Sequence, residues 1–97
     1  MERLIYRYLF PEEIELADVE SLLVTVLIST EALHGEARTR LEAGHFLDRE
    51  QRSLVVDATS VVGRDLNKLL VGAFNRDLGP DEYSVRRIDR YVPQQDA

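Results

Sequence analysis

The chain has 97 residues, 44% hydrophobic and 31% charged, with 18 acidic against 12 basic residues and a formal net charge of −6 at pH 7. That length fits one domain burying about two-thirds of the surface its unfolded chain exposes, and the mixed composition excludes disordered, collagen-like and low-complexity classes. With no cysteine in the sequence, disulfide frameworks, thiolate nucleophiles and sulfur-ligated zinc are excluded.

The negative charge opposes nucleic-acid binding, whose affinity comes mainly from basic side chains neutralising phosphates. The N-terminal stretch MERLIYRYLFPEEIE is interrupted by Arg7 and followed by glutamates, unlike a signal peptide. The longest apolar run, residues 22–24, is too short to span a bilayer. A cytoplasmic protein without a membrane partner is the expectation. Residues 1–93 read as a single domain and 94–97 as a polar C-terminal tail.

In chain order, residues 3–10 alternate Leu4, Tyr6, Tyr8 and Phe10 against Arg3, Ile5, Arg7 and Leu9, and Pro11 follows; the spacing predicts a strand. After an acidic connection, Asp18 offers an N-cap, and Leu22, Leu23, Val26, Thr30 and Leu33 keep helical spacing up to Gly35, predicting a helix over 18–34. The β-branched segment LLVTVLIST also admits a buried strand. Val24 and Ile28 add a second apolar stripe, which is either extra core or a contact surface.

Residues 36–47 alternate Ala37, Thr39, Leu41 and Ala43 against Arg38, Arg40 and Glu42, predicting a half-exposed strand. Residues 48–52 read as a hairpin loop and 53–58 as the returning strand. Thr59 or Ser60 can cap a helix with Val62, Leu66, Leu69, Leu70, Ala73 and Phe74 on one face, stopped by Gly79-Pro80. Residues 83–91 read as a final strand. The order strand, helix, strand, strand, helix, strand predicts an α+β, ferredoxin-like βαββαβ fold, a four-stranded antiparallel sheet with two helices on one face.

Four constellations could carry chemistry. Glu31 and His34 share a helix face at the Glu-x-x-His spacing of carboxylate metal sites, with His45 a further ligand candidate, but only one copy of that motif is present. The turn DATSVVGRD at residues 57–65 gathers N–H groups near a helix start, without a phosphate-loop fingerprint. No serine sits in a GxSxG elbow, and no base and orienting group are spaced for a triad, so no catalytic site and no cofactor are expected. Finally, if the helices cover the Leu4/Tyr6/Tyr8 side, the other side presents Arg3, Arg7, Arg38 and Arg40, with Arg86 and Arg90 as further candidates and Ile5, Leu9, Val55 and Ile88 among them.

These residues point to a non-catalytic protein-interaction or assembly module, homo-oligomeric and most simply a homodimer, using the arginine face or the Val24/Ile28 stripe. The alternative is a sensor domain for a small ligand, an anion or a metal. An RNA-binding role is disfavoured, because the third strand, SLVVDA, has no aromatic residue for base stacking.

Overall fold

The computed structural model describes residues 2–88. The chain is α+β, with β1 (Ile5–Leu9), α1 (Leu16–His34), α2 (Glu36–Glu42), β2 (His45–Asp48), β3 (Ser53–Asp57), α3 (Val61–Asp77) and β4 (Ser84–Ile88). The four strands form one sheet in the order β2-β3-β1-β4, and every neighbouring pair is antiparallel.

β1 forms where the sequence predicts it, and its alternation assigns the faces. Tyr6, Tyr8 and Phe10 join Leu54, Val56 and Leu47 in the core beneath α1 and α3. Phe74 of α3 meets Tyr8 and Phe10 edge-on, at 5.5 and 5.4 Å between ring centroids, a favoured aromatic geometry. The Tyr8 hydroxyl donates to Asn67 of the same helix. Burial pushes that hydroxyl's pKa well above the ordinary tyrosine value, with Tyr83 and Tyr6 adding to the shift.

Residues 18–34 are helical, not a strand, and α1 begins earlier than expected. Glu15 is its N-cap residue and makes no side-chain cap, while Asp18 lies in the first turn, where a negative charge meets the positive end of the helix dipole. α3 follows its prediction closely, with Ser60 as N-cap accepting from the Gly63 N–H. Leu69, expected in the core, is instead 41% exposed.

The largest correction concerns residues 36–47. They do not form one strand: Gly35, at φ 91°, breaks the first helix and residues 36–42 wind into α2, leaving only His45–Asp48 as β2. Glu36 pairs with Arg40 and Arg38 with Glu42, each four residues apart, the spacing that brings side chains together on a helix. Arg38 and Arg40 are therefore on a helix and not on the sheet. Leu41 and Ala37, placed in the core by the alternation, are exposed, and Thr39 is the buried residue of α2. The end of the predicted last strand, Arg90 and the tail at 94–97 lie outside the described residues.

Two further devices position the elements. Arg52 sits at φ 51°, a left-handed conformation unusual for a residue with a Cβ. There its guanidinium donates to the carbonyls of Phe10, Pro11 and Ile14, tying the β2–β3 turn to the β1–α1 connection. Gly63 approaches β3 so closely that an added Cβ would lie 2.1 Å from the Asp57 carbonyl oxygen. Because that obstacle is backbone, Gly63→Ala should destabilise the fold by about 1–3 kcal/mol or more, read from the urea midpoint at unchanged slope. Leu70→Ala, which empties a fully buried position, should cost about 2–5 kcal/mol in the same assay.

Candidate functional site

The most distinctive surface is the outer face of the helix layer. From Ala17 through Ser21, Val24 and Ile28 to Ala32, the outermost column of α1 is exposed and carries no charge, with Val24 50% and Ile28 62% exposed. The core takes only the opposite side, through Val19, Leu23, Val26 and Thr30. α1 is thus apolar on two sides, and one of them is unpacked within the described residues.

α3 lies antiparallel beside it. At one end the His34 Nε2 meets Asp65 Oδ2 at 2.8 Å, and at the other Asp18 and Leu22 share a depression with Asp77 and Leu78. Between the helices runs a groove of about 380 Å³, floored by Thr25, Ser29, Gly72 and Ala73 and rimmed by Leu69, Lys68 and Arg76. Gly72 is in mid-helix, where glycine costs about 1 kcal/mol relative to alanine. Beyond its chain neighbours and its own helix backbone, no atom lies within 4 Å of the position a Cβ would occupy, so packing against other elements does not call for it.

Charge on this face is segregated. Arg64 and Lys68, both exposed on the N-terminal half of α3, pair with no carboxylate among the described residues, and neither do Glu15 and Asp18 at the start of α1 with any base. The antiparallel arrangement puts these two sets at opposite ends of the uncharged centre.

The other predicted clusters are redistributed. Glu31 and His45 do come together, lining a cleft of about 340 Å³ with Leu27, Thr39, Arg40 and Ala43. His45 Nδ1 lies 3.0 Å from the Ala43 carbonyl. A carbonyl can only accept, so Nδ1 carries the proton and Nε2 of the neutral ring is left as an acceptor. His34 does not join them, because it is held by Asp65. Among the described residues no three His, Cys, Asp or Glu side chains gather into a group that could hold a metal.

The arginine face is smaller than the sequence suggested. With Arg38 and Arg40 on α2, the described sheet arginines opposite the core are Arg7 and Arg86, and Arg3, just ahead of β1, pairs with Asp57. The turn at 57–65 is knitted internally. Thr59 N–H donates to Asp57 Oδ1, Leu4 N–H to the Thr59 hydroxyl, and the Ser60 hydroxyl to the Glu42 carbonyl. Its polar groups are thereby used in capping and crosslinking.

No family model matches this chain, and neither a curated protein nor a solved structure does. No helix among the described residues is long and apolar enough to cross a membrane.

Burial would raise the Asp57 carboxyl, but the hydrogen bonds from Thr59 and the guanidinium of Arg3 outweigh it and hold the pKa below the ordinary aspartate value. A carboxyl depressed in the folded state contributes stability fully above its unfolded pKa of about 4, and that contribution is lost as pH falls through the lower folded value. Asp57→Asn should therefore be less stable than the parent near neutral pH. The difference should shrink as pH falls below about 4, which urea titrations across that range would show.

Proposed function

We propose that this chain is a non-catalytic assembly module that forms a two-fold homodimer through the outer face of α1 and α3. The observation that carries the reading is the uncharged column on α1, with Val24 and Ile28 at its centre exposed by half or more. Burial of such apolar surface is the main driving force of association.

The segregated charge suits a second copy. A two-fold axis lying in the plane of the contact, and running across the helices through the middle of the face, would bring Glu15 and Asp18 of each copy toward Arg64 and Lys68 of the other, so one surface complements itself. The groove at Gly72 suits it as well, since the missing side chain permits close helix approach in the way small residues do at helix crossings. The arginine face is the poorer candidate for this role after losing Arg38 and Arg40 to α2. We also read the fold as ferredoxin-like with α2 inserted after the first helix, on the strength of the strand order and of the two β-α-β crossovers, each spanning an intervening strand. That architecture hosts many unrelated functions and adds nothing to the assignment of a partner.

Sedimentation equilibrium over a range of concentrations tests the dimer. Ile28→Glu should weaken association by at least about tenfold, or ~1.4 kcal/mol, while leaving the circular dichroism and thermal transition of the monomer intact. Asp18→Lys should also weaken it, and Lys68→Asp in the same chain should restore part of the loss, because the two charges meet only between copies. A chain that sediments as a monomer up to hundreds of micromolar, or a dimer indifferent to Ile28→Glu, would overturn the reading.

A further inference from the structure

The cleft between α1, α2 and the start of β2 has a chemistry that the proposed assembly does not use. Its walls come from Leu27 and Glu31 on α1, Thr39 and Arg40 on α2, and the residues from Ala43 to His45 leading into β2. At about 340 Å³ it has the size of a small-molecule site. Register sets His45 opposite Val56, a residue of the core under the helices, so the imidazole is on the helix side of the sheet.

Apart from one guanidinium, the polar side-chain groups left over in this cleft are acceptors. Glu31 is half-buried, and its carboxylate meets no base among the described residues. His45 commits the one N–H of its neutral ring to the Ala43 carbonyl, which leaves Nε2 as an acceptor. The Thr39 hydroxyl donates to the Gly35 carbonyl and keeps the lone pairs of its oxygen. Only Arg40 brings further donors, and its guanidinium is drawn away to Glu36 at 2.7 Å and is 75% exposed. Leu27 and Ala43 supply the apolar wall.

We propose that this cleft binds a primary ammonium group on a short aliphatic stem, carried either by a free amine or by a lysine side chain. An ammonium has three N–H donors and no acceptor, the complement of the Glu31 carboxylate, His45 Nε2 and the Thr39 hydroxyl oxygen, and its stem lies along Leu27 and Ala43. The carboxylate supplies the strongest of these contacts, since a charge-assisted hydrogen bond is roughly twice as strong as a neutral one. A metal ion fits less well, because among the described residues no third His, Cys, Asp or Glu joins the two that line the cleft. An anion fits less well still, because the Glu31 carboxylate would repel it. The cleft shares no residue with the outer face of α1 and α3 described above, so this site stands or falls independently of the proposed dimer.

The test is a titration of the full chain followed by amide and imidazole NMR at low salt, where screening is weakest. The probes are butylammonium, lysine blocked at both ends, tetramethylammonium, hexanoate and zinc. The expected result is a saturable shift at Glu31, Gly44 and His45 with butylammonium. Blocked lysine binding at least as tightly would assign the group to a protein partner, and weaker binding would assign it to a free amine. Glu31→Gln should weaken butylammonium binding by about tenfold or more, and His45→Ala by about threefold or more, with the rest of the amide spectrum preserved. Arg40→Gln should not weaken it. No saturable shift with either amine, or binding unchanged in Glu31→Gln, would overturn the proposal. Tetramethylammonium, which has no N–H, would overturn it by binding as tightly as butylammonium. So would hexanoate binding that is lost in Arg40→Gln, which marks an anion site, or zinc binding more tightly than either amine and lost in Glu31→Gln, which marks a metal site.

Discussion

Everything in this fold is hung from the corner where β3 turns into α3. Within a few residues, Asp57 N–H donates to Gly44 at the mouth of β2, Ala58 N–H donates to Leu4 ahead of β1, and the Ser60 hydroxyl donates to Glu42 at the end of α2. The same serine caps α3 by accepting from Gly63. The corner closes only because Gly63 offers no Cβ to the Asp57 carbonyl. Strand, hairpin and both later helices are thus fixed by one compact set of hydrogen bonds, which uses the polar groups that the sequence gathers in the turn at 57–65.

That rigid corner explains how the two surfaces come to be separate. It fixes α3 across the sheet, and the antiparallel α1 then covers the rest of the Tyr8 side of the sheet. The aromatic cluster of Tyr8, Phe10, Phe74 and Tyr83 fills the space between. What remains are the outside of the helix pair, apolar in the middle and charged at its ends, and the far side of the sheet, where Arg7 and Arg86 stand among aliphatic side chains.

Much of this was legible from residue spacing. The period-two alternation of β1 and the 3.6-residue spacing of α3 are long and unambiguous, and the Val24/Ile28 stripe followed from assigning α1 correctly. Residues 36–42 were not legible by the same rule, because Ala37, Thr39, Leu41 and Ala43 satisfy a strand's alternation while Glu36–Arg40 and Arg38–Glu42 satisfy a helix's fourfold spacing. The charge pairs were the better guide there. The positions of Gly72, Arg64 and Lys68 relative to α1 could not be seen in the sequence at all. They arise only when α3 is set antiparallel to α1, a relation between distant segments that no local period encodes. The partnership of His34 with Asp65 belongs to the same class.

The sheet's rims have a consequence of their own. Among the described residues β2 is four residues long and β4 five, with Asp48 at the end of one and Arg86 and Arg87 in the middle of the other. Short, charged margins make poor templates for an incoming strand. Lateral addition of a strand is thereby discouraged, and a dimer of the kind proposed, which closes on its own face, would be a finite particle and not the start of a fibre.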